Sequence, residues 1–342
     1  MARITLGKTG IVTEQNAFGA LPIQRRSRAD AVALLRRAFD GGMTYFDTAR
    51  MYSDSEEKLG EAFEGMRDKI FIATKTGAAT PEDFWKDLET SLRNLRTDYI
   101  DVYQFHNPKI CYLPGDGTGM YECMEEAKRQ GKIRHIGFTN HLIANAHACI
   151  ESGAYETLQF PFSYLSAEKD LALAKACREA GMPLIAMKGL AGGLITNSAA
   201  AYAFLTQYDN VLPIWGIQRE KELEEFLSYF AAPPAMTDEL RKLIEHDRRE
   251  LAGDFCRGCG YCMPCTVGIE INNCARMSLM VRRAPAEAWL NEHWQAEMAK
   301  IPNCVECGLC RSRCPYGLDT PALLRKNYED YQRILAGEIQ PV

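Results

Sequence analysis

One unit recurs eight times over about 230 residues of this chain: a short apolar run, a turn, then an amphipathic helix. Strands that alternate with helices in this way pair in parallel, because a crossover through a helix is what lets consecutive strands run in one direction. The runs are apolar throughout rather than alternating, as expected of strands buried on both faces. Eight such units predict a (β/α)8 TIM barrel. A doubly wound open sheet is the runner-up architecture, but no Gly-rich phosphate turn stands where that fold needs one.

A hairpin is expected up to about residue 14, with Gly7 and Gly10 in its turns. Residues 16–21 read as the first barrel strand, where Gly19 would let a ligand approach the backbone. A helix over 28–40 is capped by Ser27 with Asp30 three residues on, and its apolar face reads Val32, Leu35 and Phe39. The second strand ends at Asp47, and Ser53 with Glu56 opens the next helix. A third strand runs to Lys75, followed by Thr80-Pro81-Glu82-Asp83, a helix start whose buried stripe is Phe84, Leu88, Leu92 and Leu95. The fourth strand ends at His106. The loop 107–119 after it is long enough to act as a substrate lid, with Cys111, Tyr112 and Met120 as walls. Helices ending at Gly131, Gly153 and Gly181 feed three further strands, and a last strand near 211–214 precedes a helix over 220–229. Ala231-Ala232-Pro233-Pro234 interrupts the pattern. The expected divisions are a barrel over 1–232, a linker helix over 233–253 and a second domain over 254–342.

A net charge of -5 and a pI near 5.8 exclude a basic face for nucleic acid. No apolar run is long enough to span a membrane, and the N-terminal residues lack a signal-type apolar core. The expectation is a cytoplasmic protein. Cysteine is the outlier, with nine of thirteen between Cys256 and Cys314. In a reducing compartment such clustering points to metal ligation rather than disulfides. Cys111, Cys123, Cys149 and Cys177, in the first part, read as small apolar fillers.

Asp47, Lys75 and His106 stand at successive strand ends, and Tyr52 lies in the loop after the second strand. In a barrel of this type such positions converge on one rim. The four groups suit proton transfer to or from a carbonyl oxygen. A phenol titrates near pH 10 and is a poor acid or base at neutrality. A nearby ammonium favours its ionised form, and a carboxylate keeps that ammonium charged in a buried site. Lys75 and Asp47 fill those two roles, His106 orients the oxygen, and Tyr52 is the proton donor or acceptor.

The segments Phe46-Asp47-Thr48-Ala49-Arg50-Met51-Tyr52-Ser53, Thr74-Lys75-Thr76, Tyr103-Gln104-Phe105-His106 and Gly137-Phe138-Thr139-Asn140-His141 resemble signatures of the aldo-keto reductase superfamily, over roughly residues 3–230. The resemblance implies an NAD(P)H-dependent oxidoreductase acting on a carbonyl or alcohol, with Asp47, Tyr52, Lys75 and His106 as its tetrad. It also implies Asn140 and Gln159 on the nicotinamide carboxamide, and Gly19, Met187, Lys188, Leu190, Gln218, Arg219 and Glu225 among the other cofactor contacts. Met187 stands where many relatives place a tyrosine against the nicotinamide. Glu222 stands where NADP-dependent members place a cation, with Arg219 as a substitute for it.

Cys304, Cys307, Cys310 and Cys314-Pro315 form the C-x2-C-x2-C-x3-C-P run of a [4Fe–4S] ferredoxin, in which the fourth cysteine ligates the other cluster. Zinc is the competing reading, but its sites use separated pairs of cysteines. Cys256, Cys259, Cys262 and Cys265 make a second run with a shortened last interval. The module resembles the dicluster ferredoxin-type domain fused to some aldo-keto reductases. The resemblance implies one cluster on Cys256, Cys259, Cys262 and Cys314, and another on Cys265, Cys304, Cys307 and Cys310. Cys274 reads as a packed thiol. A nicotinamide delivers two electrons together whereas a cluster takes one, so a role for the clusters does not follow from the hydride chemistry. Two further readings therefore stand beside the reductase. One is an electron-transfer enzyme exchanging electrons with a ferredoxin- or flavodoxin-type carrier. The other is a non-catalytic nucleotide-binding redox sensor.

Overall fold

The computed structural model describes residues 3–251, 255–283 and 286–339. The chain divides into two units, one comprising Met1–Gly189 with Ala199–Thr237, the other Leu190–Ser198 with Asp238–Val342.

In the first unit β1 (Arg3–Thr5) and β2 (Val12–Glu14) pair as an antiparallel hairpin. Eight parallel strands then close a barrel: β3 (Ala17–Gly19), β4 (Tyr45–Asp47), β5 (Phe71–Thr76), β6 (Ile100–His106), β7 (Ile133–Thr139), β8 (Thr157–Pro161), β9 (Leu184–Met187) and β10 (Val211–Gly216). Pairing follows chain order, and β10 returns to β3. The hairpin's Ile4, Leu6 and Ile11 pack on Ala17, Tyr45 and Val102 near the strands' N-terminal ends. That end is thereby plugged, and the C-terminal rim is left for chemistry. No described helix is long and apolar enough to cross a membrane.

Helices fill the intervals between strands. In α1 (Arg28–Asp40) the Ser27 side chain accepts from the Asp30 amide, as the cap predicts. Its buried stripe is Ala31, Leu34, Leu35 and Ala38. The expected face of Val32, Leu35 and Phe39 is therefore rotated, because the small alanines let the helix sit closer to the strands. Ser53 does not cap α2 (Ser55–Ala62): it has φ +38°, and Asp54 holds the cap position. In α3 (Pro81–Asn94), Thr80 accepts from the Asp83 amide, and Phe84, Leu88, Leu92 and Leu95 are all buried.

The second unit is small and helical: α9 (Asp238–Glu250), α10 (Ile271–Cys274), α11 (Met277–Arg283), α12 (Glu292–Met298), α13 (Leu309–Ser312) and α14 (Thr320–Leu335). Its core gathers Ile269, Ile271, Met277, Val281, Met298, Leu324 and Tyr331, with Cys274 fully buried among them. α14 is therefore an amphipathic core helix rather than a polar tail. Asn327 accepts from the Ser278 amide at 2.9 Å and donates to the Ala275 carbonyl at 3.1 Å, while Arg282 forks onto Asp330 at 2.6 and 2.8 Å. Between α11 and α12 lies a single turn at Ala286–Ala288, and residues 284–285 lie outside the described part.

Candidate active site and metal centres

Barrel register decides which side chains meet. Asp47 pairs with Ala73, Lys75 with Gln104, and Gln159 with Thr139, so β4, β5, β6 and β8 present one inward layer near the rim. Lys75 Nζ donates to Asp47 Oδ1 at 2.6 Å and to the Thr48 carbonyl at 2.6 Å. Both side chains are almost wholly buried. Burial pushes the Asp47 carboxyl up and the Lys75 ammonium down, and each opposes the shift of the other. Gln104 and Gln159 each donate to Asp47 at 3.4 Å, and Gln104 donates to Gln159 Oε1 at 2.9 Å. Gly137 makes room for this pair, since a Cβ there would stand 2.7 Å from Gln104 Cγ.

Tyr52 is half-buried at the rim, with Lys75 Nζ 5.4 Å from its ring centroid. The His106 ring meets it edge-on with centroids 5.7 Å apart. The structure thus brings together all four residues expected at the strand ends. Burial, and secondarily the Lys75 charge, lowers the His106 imidazole to about 3, so it is neutral at physiological pH. Its buried Nδ1 and the Oε1 of Gln104 have no hydrogen-bond partner among the described residues. Such atoms keep hydrogen-bonding capacity for a ligand, which fits a bound substrate and nicotinamide.

Sequence reasoning passed over Gln104, although it lies two residues before His106 and so shares its inward face of β6. It also missed Glu56, a buried carboxylate that accepts from Thr74 and Ser91 hydroxyls at 2.7 Å each and pairs with Arg50 at 3.3 Å. Nothing local marked Glu56 as more than a helix-start acid.

The expected cofactor contacts are more dispersed. Asn140 is buried, but its side chain donates to the Pro108 carbonyl at 2.9 Å and accepts from the His141 and Leu142 amides. At Gly19 a Cβ would stand 3.1 Å from the Trp215 carbonyl of the adjoining strand, a tight fit. Met187 and Lys188 are half-buried, and Lys188 has φ +59°. Leu190 falls in the segment that clusters with the second unit. The Glu222 carboxylate accepts from the Gln218 and Arg219 amides at 2.9 and 3.0 Å and pairs with the Arg219 side chain at 2.5 Å. The N-terminus of α8 (Glu220–Ala231) is therefore closed by its own acid. Glu225 lies on the exposed side of that helix.

The loop 107–119 does not use Tyr112 and Met120 as pocket walls. Both are buried, Tyr112 packing on Phe105 with ring centroids 4.9 Å apart and its carbonyl accepting from Tyr155 at 2.6 Å. Apolar burial outweighed display at these positions. Ile110 is the exposed apolar residue of this loop.

In the second unit the cysteines surround two cavities. Cys256, Cys259, Cys262 and Cys314 line one. Cys265, Cys304, Cys307 and Cys310 line another, which Cys262 also borders. The fourth cysteine of each run is thus carried to the cavity of the other run, as ferredoxin spacing requires. Among the described residues no three such side chains converge as a single metal ion needs. Four thiols ranged around each cavity match the four thiolate ligands of a [4Fe–4S] cubane. Burial pushes the Cys256 thiol up and the Cys262 thiol to about 12, so their protons must leave when metal binds. Cys307, by contrast, is exposed, and hydrogen bonds from the Leu309 amide and the Thr266 hydroxyl lower its thiol.

The family model described as "Aldo/keto reductase family" matches residues 15–200, and one described as "4Fe-4S dicluster domain" matches residues 255–319. The chain is 31% identical over 181 residues to the aldo-keto reductase YhdN of Bacillus subtilis, covering 49% of this chain and 54% of that protein. It is 30% identical over 213 residues to the methylglyoxal reductase YeaE of Escherichia coli, covering 56% of this chain and 72% of that protein. It thus spans about half the length of the first of these curated relatives. Among solved structures, an aldo-keto reductase of Bacillus halodurans in its holo form superposes with a TM-score of 0.64 at 20% identity, covering 72% of this chain and 96% of that one. An aldo-keto reductase of Klebsiella pneumoniae in complex with NADPH gives 0.62 at 23% identity, covering 72% and 95%. At those identities the likeness is one of fold.

Proposed function

Because the chain belongs to the aldo/keto reductase family, we propose that it interconverts a carbonyl and an alcohol with NAD(P)H, using Tyr52 as the general acid in reduction and the general base in oxidation. The observation that carries this reading is the buried Lys75–Asp47 pair at 2.6 Å, with its ammonium 5.4 Å from the Tyr52 ring centroid. Bound NAD(P)H supplies the hydride that reaches the carbonyl carbon. Tyr52 gives its proton to the carbonyl oxygen, and the Lys75 charge stabilises the phenolate left behind. Asp47 keeps Lys75 charged and in place. His106, held neutral, donates a hydrogen bond to the same oxygen and fixes its direction toward Tyr52. Gln159 and Asn140, on the neighbouring β8 and β7 ends, are the proposed carboxamide partners, with Met187 packing nearby. Glu222 already occupies the amides of its helix N-terminus and neutralises Arg219. An added ribose phosphate would meet a carboxylate there, so NADH is the favoured cofactor.

The two cavities are proposed to hold two [4Fe–4S] clusters on the crossed cysteine sets. A second reading has one observation in its favour: Cys307 is exposed and flanked by exposed Val305 and Leu309. An apolar surface over a cluster edge suits single-electron exchange with a protein carrier. Tyr52→Phe separates the readings. Nicotinamide-linked turnover should fall about 10²–10⁴-fold while cluster reduction by dithionite is unaltered. Unchanged turnover would refute the proton-transfer role.

A further inference from the structure

The guanidinium of Arg276 is only 8% exposed, and burial works against its charge. A buried arginine is ordinarily paired with a carboxylate, since an uncompensated buried charge costs several kcal/mol. Among the described residues Arg276 has no such partner. It donates from Nη1 to the Gly192 carbonyl at 2.7 Å and from Nη2 to Asn273 Oδ1 at 3.1 Å. Its Nε is buried without a partner. The groups that face it are the sulfurs of Cys256 and Cys259. The loop carrying them closes directly on it: a Cβ at Gly258 would stand 2.6 Å from Arg276 Cζ, and Gly258 has φ +63°. Glycine at that position is what lets the cysteine loop lie against the cation.

Cysteines that ligate metal do so as thiolates, giving up their protons on binding. Four thiolates outnumber the charge of the cubane they hold, so the assembled centre is anionic and becomes more so when it takes an electron. Among the described residues the second cavity has no comparable arrangement. Its Cys307 is exposed, and the cation facing it, Arg313, is itself exposed, where solvent screens the charge.

We propose that Arg276 is the built-in counter-charge of the cluster held by Cys256, Cys259, Cys262 and Cys314, and that it raises that cluster's reduction potential above what the cysteines alone would set. Gly192 and Asn273 position the guanidinium, and the cluster completes its charge balance. Net charge and hydrogen bonding near the sulfurs are established determinants of such potentials. An electron entering this unit therefore comes to rest on the first cluster. Arg276 acts as a positioning and tuning residue, without ligating iron.

This rests on the proposed ligand set, and one experiment tests both. The full chain is purified anaerobically as wild type, Arg276→Gln and Arg276→Lys. Each is assayed for iron and labile sulfide, then titrated with dithionite and mediators while reduced clusters are followed by electron paramagnetic resonance. In the Gln variant one cluster should become harder to reduce by about tenfold in its equilibrium constant, ~59 mV for one electron, with the other unchanged. The Lys variant, which keeps the charge, should stay near wild type. Unchanged potentials in the Gln variant, or equal shifts of both clusters, overturn the proposal. If the Gln variant fails to load the first cluster, a loaded Lys variant at wild-type potential supports the role of charge, and an unloaded one overturns it. Wild-type iron and sulfide sufficient for a single cubane would overturn the ligand set, and the proposal with it.

Discussion

Replacing Lys75 with methionine separates the stability role of the buried pair from its chemistry. The change removes the ammonium 2.6 Å from Asp47 and leaves the carboxylate with two long amide contacts at 3.4 Å. Removing one partner of a buried ion pair costs about 3–5 kcal/mol, because the other charge stays desolvated. Lys75→Met should therefore destabilise the barrel by about that amount at pH 7.5 in urea unfolding. Burial raises the Asp47 carboxyl in the folded state, and without Lys75 it rises further. The penalty is thus fully present above that folded value and eases as the pH falls through it, when Asp47 takes up a proton. The double variant Asp47→Asn/Lys75→Met carries no buried charge at this site and should recover to within about 1 kcal/mol of wild type. Turnover behaves differently. Both variants lack the cation that stabilises the Tyr52 phenolate, so carbonyl reduction should fall about 10²–10⁴-fold in each. Stability rescued without activity is the expected signature. A double variant that regains both would refute the electrostatic account and reduce Lys75 to a packing residue.

Burial lowers His106 to about 3 and, with Lys188 nearby, holds His141 well below its ordinary value. Below pH 6.5 the unfolded chain then binds protons that the folded chain refuses, so stability should fall by about 0.8 kcal/mol per histidine between pH 7.5 and 6.0. Urea unfolding at the two pH values measures this; His106→Asn should remove about half of the dependence, and no dependence would contradict it. Glu222→Arg opens the amides of the α8 N-terminus and frees Arg219, so kcat/KM for NADPH relative to NADH should rise about tenfold. A steady-state comparison with an unchanged ratio would sink the NADH assignment. Cys314→Ser should remove the cluster that Cys256→Ser removes, and Cys310→Ser the other one, as read by magnetic resonance of the cluster that remains. Identical spectra for the 310 and 314 variants would show that the ligands do not cross.

Much of this protein was legible in its sequence because the relevant signals are local. Strand and helix repeats, the Thr80 cap and the cysteine intervals each depend on neighbours within a few residues, and the same local logic placed Asp47, Lys75 and His106 at strand ends. Barrel closure decided the rest, since its partners are far apart along the chain. Gln104 meets Asp47 and Gln159 across 57 and 55 residues. Tyr112 and Met120 turned into the core, because burying apolar surface outweighs display at a rim. The rotated face of α1 and the tight fit at Gly19 come from how closely neighbouring strands and helices pack. Arg276 carries no motif at all. Its meaning arises only when the fold buries a cation beside two cysteines and, among the described residues, offers it no carboxylate.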